Sequence, residues 1–232
     1  MALTVCWSAK GGVGTTVVAA CLALGPARPT VLIDVDGDLP LVLGVPEPSG
    51  QGLGDWFESA ASPRAILDLA IDLDPTTRLV PRGHRPIDRQ AGRWGELGRW
   101  LAASEIEFVA DTGVGDPPSD LLASGDGAPD DAGEGEGDDA DRSTRGRGRS
   151  LLVTRPCYLA LTHANRMRTR VDGVVLIDEP GRGLGPADVE TSIGAPIVLR
   201  MPLDPAVARA VDSGLLSAGL PGSVKKPAER TA

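Results

Sequence analysis

The chain has 232 residues, of which 41% are hydrophobic and 3% aromatic, and a formal net charge of −9. This length suits one large domain with an aliphatic core. Most of the negative charge lies within residues 116–149, so the charge of the body argues neither for nor against a nucleic-acid partner. The three cysteines are too far apart for a disulfide framework, and no apolar run approaches the ~20 residues that span a bilayer. With no recognisable signal peptide, we expect a cytoplasmic protein.

A short apolar strand over residues 3–7 leads into a glycine-rich loop and then into a helix over residues 16–24. The loop is Ser8-Ala9-Lys10-Gly11-Gly12-Val13-Gly14-Thr15-Thr16. Backbone N–H groups and the positive potential of a helix N-terminus make such a loop a phosphate-binding site. In the common pattern, G-x-x-x-x-G-K-[ST], a lysine precedes the last hydroxyl residue, whereas here Thr15 takes that place and Lys10 precedes the paired glycines. The alternative, a turn without a ligand, does not explain three glycines, a lysine and a threonine at these spacings.

The loop resembles the deviant Walker A loop, K-G-G-x-G-K-[ST], of the ParA/MinD family of P-loop ATPases, and only Thr15 departs from that pattern. The resemblance implies that ATP binds here, that Thr16 ligates Mg²⁺, and that Lys10 acts as a catalytic group. In that family the early lysine reaches the partner's phosphates in a nucleotide-sandwich homodimer. The residues that would contact the nucleotide phosphates are Lys10, Gly11, Gly12, Val13, Gly14, Thr15 and Thr16.

Residues 30–35 form a continuous apolar run that ends in acid, which is typical of a central parallel strand buried on both faces. Ligands bind at the carboxyl ends of such strands. Asp34 and Asp36 resemble the family's D-x-D element, which implies a metal-holding role for Asp34 and orientation of the attacking water by Asp36. Asp38 with Leu43-Gly44 resembles the D-x-x-x-x-L-G of the TadZ/CpaE branch, which positions pilus machinery. Turn acids without a function remain an equal alternative for Asp38 and a weaker one for the pair.

Residues 54–73 suit one or two helices, residues 78–81 a short strand, and the Trp94–Trp100 region another helix. The notable cluster of basic residues outside residues 116–149 lies in the loop after this strand and on the helix that follows. It comprises Arg82, Arg85, Arg89, Arg93 and Arg99. Such a cluster could bind DNA, but a solvated loop and helix face is the simpler interpretation and is favoured.

The strand predicted over residues 106–111 ends in Asp111, as in a Walker B element whose carboxylate holds Mg²⁺ through water. Residues 111–115 resemble the family's D-[ST]-P-x-G, with Gly113 in place of proline. This resemblance implies that the Gly115 N–H binds the γ-phosphate and acts as a switch. We expect the glycine at position 113 to loosen the turn.

Residues 116–150 are low in complexity, rich first in acid and glycine and then in arginine, and predict a disordered insert that needs no function. The sheet resumes at residue 151, a helix carrying His163 follows, and a strand over 174–178 ends in Asp178. The family often has an asparagine there that contacts adenine. Asp178 resembles the guanine-contacting aspartate of G proteins more, so both bases stay open and adenine is favoured on the resemblance.

Residues 188–204 predict a helix, a strand and a loop that borders the base in the family, with Asp204 as an N-cap of the next helix. Residues 223–232 predict a polar tail without the long basic amphipathic helix that anchors MinD to membranes. Direct membrane binding is therefore disfavoured.

The alternating elements predict an α/β fold, a three-layer P-loop NTPase domain over residues 1–222 with a mostly parallel sheet between helices. The preferred function is an ATP- and Mg²⁺-binding, nucleotide-gated dimeric positioning factor for pilus or secretion machinery, recruited to a pole or membrane through partners. Hydrolysis is expected to be weak or absent, because Thr15 supplies no charge to the phosphates. Two alternatives stay open: an active partition or division-site ATPase, and a pseudo-ATPase interaction module without catalysis.

Overall fold

The computed structural model describes residues 2–46, 50–123 and 148–231. The strands in these ranges are β1 (Leu3–Ser8), β2 (Thr30–Asp34), β3 (Ile71–Asp72), β4 (Thr77–Val80), β5 (Glu107–Val114), β6 (Arg149–Thr154), β7 (Gly173–Asp178) and β8 (Ile197–Pro202). The α-helices are α1 (Thr15–Leu24), α2 (Leu39–Leu43), α3 (Leu53–Phe57), α4 (Trp94–Ala103), α5 (Tyr158–Ala164), α6 (Pro186–Ile193), α7 (Pro205–Asp212) and α8 (Gly222–Thr231). Two 3-10 helices, Pro63–Leu69 and Ser119–Leu121, complete the elements of the described ranges.

The eight strands form one sheet in the order β3-β4-β2-β5-β1-β6-β7-β8. Every neighbouring pair is parallel except β3 and β4. Alternate residues of the central strands enter different cores: Cys6 and Leu32 pack with α1, whereas Val5 and Ile33 pack with α3 and α4. Helices therefore cover both faces, and the predicted three-layer α/β fold with a mostly parallel sheet is confirmed.

Two sequence predictions need correction at their ends. Residues 71–73 were expected to be helical, but Ile71 and Asp72 form the short edge strand β3. The predicted insert 116–150 lies outside the described residues only over 124–147. Its ends belong to the fold, because Leu121 is buried beside α4 and β6 begins at Arg149. The compositional bias extends over residues 119–121 and 149–150, which belong to elements of the fold, so composition alone misplaced the ends of the insert.

The predicted polar tail is the helix α8. Val224 and Ala228, one turn apart on the same face, are buried in the core that contains α1. Helices α1 and α8 pack closely, since a Cβ on Gly25, at the end of α1, would lie 2.8 Å from the Cβ of Ala228. In the described parts of the chain, no helix combines the length and apolar character needed to cross a bilayer.

Two glycines of α4 offer a matched test of this packing. A Cβ on Gly98 would come within 2.5 Å of the Leu121 carbonyl oxygen, whereas a Cβ on Gly95 would meet the movable end of Arg99 at 3.3 Å and the Asp120 Cβ at an ordinary contact distance of 3.7 Å. Alanine gains up to about 1 kcal/mol of helix propensity at either position. We expect Gly95→Ala to raise the free energy of unfolding by part of that amount, and Gly98→Ala to lower it by about 1–3 kcal/mol through overpacking. Urea unfolding of both variants checks this, and equal effects would contradict the close contact.

Candidate functional site

The glycine-rich loop joins β1 to α1 at the carboxyl edge of the sheet. Gly12 and Gly14 have φ of 73° and 99°, a backbone region that side-chain-bearing residues rarely adopt. A Cβ on either would meet no atom within 4 Å, so open space lies beside the loop backbone. Helix α1 starts without a side-chain cap or an acid in its first turn. Its exposed N–H groups and positive potential can therefore bind an anion.

Two carboxylates lie next to this loop on adjacent strands. Asp34 at the end of β2 is paired in register with Asp111 of β5, and both residues are fully buried. One oxygen of each is satisfied: the N–H of Gly37 donates to Asp34 Oδ1 at 2.7 Å, and the N–H of Gly113 donates to Asp111 Oδ1 at 3.1 Å. The Oδ2 atom of each is buried without a hydrogen-bond partner. Such atoms are costly in a folded protein, which suggests a missing ligand.

Burial raises the pKa of Asp34 to about 6 and that of Asp111 to about 7, because desolvation penalises the charged carboxylate. The Thr16 hydroxyl is close enough to Asp111 to oppose this shift, while the charges of Asp34 and Asp36 add to it. A cation at this position would restore ionisation of both carboxylates.

The residues present fit Mg²⁺ held together with a nucleotide. Among the described residues, no group of three or more His, Cys, Asp and Glu side chains could hold a metal ion. Mg²⁺ instead typically takes one or two protein carboxylates with phosphate and water oxygens. Thr16, Asp34 and Asp111 supply a hydroxyl and two carboxylates, so the metal and the phosphates would complete each other's coordination.

Asp36 lies at the same edge, and its carboxylate packs directly on Gly113. A Cβ at position 113 would come within 2.1 Å of the Asp36 Cγ. Gly113 also has a φ of 67°, which proline cannot adopt. The glycine was expected to loosen this turn; the structure instead shows that the turn needs glycine, for its φ and for the space that Asp36 occupies.

Gly115, the predicted γ-phosphate donor, uses its N–H to bond the Ser8 carbonyl at 2.8 Å. Its φ is 97°, so glycines with positive φ stand on both sides of Val114. Val114 itself is 48% exposed and close to Gly11 of the loop. The Gly115 N–H therefore lies near the phosphate-binding loop but must leave Ser8 before it can bind a phosphate.

Lys10 and Asp178 lie further along the same edge. Hydrogen bonds from the α5 backbone lower the pKa of Cys157, and the positive charges of Arg182 and then Lys10 add smaller effects in the same direction. Asp178, at the end of β7, is held by Arg200 through two hydrogen bonds, from Nε at 2.9 Å and from Nη2 at 3.0 Å. The sequence did not indicate Arg200 as a partner, because a helix and part of a strand separate it from Asp178 along the chain.

A mostly apolar cavity of about 250 Å³ opens beside Gly14. Val13 and Val17 line one side, and Leu203 and Asp204 line the other. This places the predicted base-bordering loop at a cavity next to the glycine-rich loop. Asp204 also accepts a hydrogen bond from the Ala206 N–H at 2.7 Å, so its predicted role as the N-cap of α7 is confirmed.

Most of the predicted basic cluster is engaged within the chain. Arg93 stacks on Trp56 at 3.7 Å and donates to three backbone carbonyls. Arg85 pairs with Asp55 and with a neighbouring glutamate, while Arg82 donates to the Asp36 carbonyl. Sequence spacing identified the cluster but could not show that its guanidinium groups are used to bind the chain's own loops.

The sheet order, the loop and the paired aspartates define a P-loop NTPase fold. No protein-family profile and no curated protein matches the chain in sequence. Among solved structures, a ParA family ATPase from Chlorobium tepidum is similar, with a TM-score of 0.71 at 19% identity over 98% of this chain and 97% of that one. The cell division ATPase MinD from Pyrococcus furiosus has a TM-score of 0.71 at 20% identity, over 99% and 96%.

A third similar structure is the septum site-determining protein MinD from Pyrococcus horikoshii, complexed with Mg-ADP. Its TM-score is 0.70 at 17% identity, over 100% of this chain and 94% of that one. All three cover nearly the whole chain, so the fold is that of ParA and MinD ATPases.

Proposed function

We propose that the chain is a ParA/MinD-like protein that binds ATP with Mg²⁺ and positions other proteins as a nucleotide-gated homodimer. The observation that carries this proposal is the pair of buried, unpartnered Oδ2 atoms of Asp34 and Asp111. Asp111 lies beside Thr16, which is in the first turn of a helix whose N-terminus has no side-chain cap. A divalent cation bound with phosphates would satisfy the carboxylates, the hydroxyl and the helix N–H groups together.

In this proposal the loop residues Lys10 to Thr16 bind the phosphates, and Thr16, Asp34 and Asp111 hold the metal. A metal held by these residues would supply positive charge that neutralises the phosphates. Asp36 would orient the attacking water. Lys10 would act across the dimer, as the resemblance of the loop implies.

Adenine is the proposed base. A guanine-contacting aspartate uses both carboxylate oxygens to accept N–H groups of the base, whereas both Asp178 oxygens accept from Arg200, which a guanine would have to share or displace. The apolar cavity beside Gly14 requires no charged contact to hold an adenine ring. The bound Mg-ADP in the similar MinD structure agrees with this nucleotide class.

The cellular role that we propose is positioning of pilus or secretion machinery, on the resemblance of Asp38 and Leu43-Gly44 to the TadZ/CpaE branch. An active partition or division ATPase is the alternative. The internal contacts of Arg82, Arg85 and Arg93 favour the positioning role over a DNA-binding one, because these guanidinium groups are already bonded to the chain.

Sizing of the purified protein with and without ATP and Mg²⁺ tests the proposal. We expect the wild type to shift from monomer to dimer only with both, and Lys10→Ala to remain monomeric. Lys225→Ala, which removes an exposed lysine of α8, is the matched control and should dimerise like the wild type. Identical elution of wild type and Lys10→Ala under all conditions would instead support a pseudo-ATPase module.

A further inference from the structure

Arg89, in the connection between β4 and α4, contacts two separate parts of the candidate site. Its guanidinium donates to the Thr112 carbonyl through Nη2 and to the Asp116 carbonyl through Nη1, the latter at 2.9 Å. The same Nη2 lies 3.8 Å from the Asp36 carboxylate. Nothing in the proposed nucleotide site requires this residue, and the sequence offered it only as one arginine of a basic cluster.

The two carbonyls bracket the segment Gly113–Val114–Gly115. Both glycines have positive φ, a backbone region that other residues rarely adopt, and the ends of the segment are bonded to one rigid, planar group. With its ends held, the Gly115 N–H donates to Ser8. Arg89 thus stabilises one arrangement of the segment that includes the predicted γ-phosphate donor.

Both parts that Arg89 joins are themselves anchored. The Asp116 carboxylate accepts from the N–H groups of Arg168 and Thr169, each at 3.0 Å, and from the Thr169 hydroxyl at 2.8 Å. On the other side, Asp36 rests on Gly113, and its carbonyl accepts from Arg82. An ion pair at 3.8 Å between groups that are 34% and 35% exposed contributes little alone. The carbonyl bonds therefore fix the guanidinium, and the guanidinium then orients Asp36.

We propose that Arg89 is a positioning residue: it couples the orientation of Asp36 to residues 112–116 and holds the Gly115 N–H on Ser8. We call Arg89 with its acceptors on Asp36, Thr112 and Asp116 the Arg89 clamp. Binding of a γ-phosphate to Gly115 must work against the clamp, so the clamp lowers affinity for a triphosphate relative to a diphosphate. This last consequence, unlike the clamp itself, rests on the proposed function.

Residue-resolved hydrogen exchange without nucleotide tests the clamp directly. Loss of a charge-assisted hydrogen bond should increase opening of the segment, so we expect Arg89→Ala to speed exchange of the Gly115 amide about tenfold. Arg85→Ala is the matched control, since Arg85 comes from the same connection and pairs with Asp55 and Glu58, away from residues 112–116. Equal Gly115 exchange in wild type and Arg89→Ala would overturn the proposal.

Nucleotide affinity provides the second readout. We expect Arg89→Ala to raise affinity for a magnesium-bound, non-hydrolysable ATP analogue severalfold more than affinity for Mg-ADP. Arg89→Lys should behave like Arg89→Ala, because an ammonium group cannot bridge both carbonyls in the plane of a guanidinium. A lysine variant that matches the wild type would show that charge alone suffices and would overturn the clamp. If the wild type binds neither nucleotide, the proposed function fails while the exchange measurement still decides the clamp.

Discussion

Thr15→Lys is expected to raise the rate of ATP hydrolysis about a hundredfold over a slow wild type. Thr15 is the first residue of α1, so a longer side chain there starts at the helix N-terminus that follows the glycine-rich loop. The lysine would add a positive charge beside the β- and γ-phosphates, where charge develops during transfer. Removal of one such stabilising group from an active site typically costs 10²–10³ in rate, and the gain should be of that order.

Phosphate release by the wild type, Thr15→Lys and Thr15→Met measures this effect. Methionine matches the length of lysine without the charge, so Thr15→Met should stay at the wild-type rate. Asp36→Asn in the Thr15→Lys background should abolish the gain if Asp36 orients the attacking water. A wild type that already turns over as fast as Thr15→Lys, with a rate that Asp36→Ala abolishes, would refute the proposal of weak hydrolysis.

The sequence predicted the parts of this fold that depend on local pattern. Continuous apolar runs ending in acid predicted β2 and β5, and their parallel pairing brings Asp34 and Asp111 side by side as expected of strand ends in an open sheet. The glycine-rich loop lies where a strand, loop and helix pattern requires it. These features follow from residues close together in the chain, so periodicity and motif spacing suffice.

Contacts between distant segments were not predictable in the same way. The Gly115 bond to Ser8, the Asp178 pair with Arg200 and the Arg89 clamp join residues from different elements. Spacing along the chain carries no information about which guanidinium reaches which carbonyl. For the same reason, the sequence did not show that position 113 needs glycine, because the need arises from Asp36, which packs against it in the fold.

Asp111→Asn should separate the metal-binding role of this residue from its effect on stability. We expect the affinity for a nucleotide with Mg²⁺ to fall about 10–100-fold, since loss of a group that orients metal-bound water has an effect of this size. Affinity measured with EDTA should change much less. Asp68→Asn, which removes an exposed carboxylate from the 3-10 helix Pro63–Leu69, is the control and should leave both affinities unchanged.

Without metal, the same substitution should stabilise the protein at pH 8, by about 1–3 kcal/mol, because it replaces a buried carboxylate that has an unpartnered oxygen. Burial raises the pKa of Asp111 in the folded protein to about 7, from an ordinary value of 3.8, so the folded state holds this proton more tightly than the unfolded chain does. Wild-type stability therefore falls as pH rises from about 4 to about 7, and Asp111→Asn lacks that part of the decline. Urea unfolding at pH 5 and pH 8 measures the difference. If Asp111→Asn stabilises the protein no more at pH 8 than at pH 5, ionisation of Asp111 costs no free energy. Burial of this carboxylate would then give no electrostatic reason for a cation beside it.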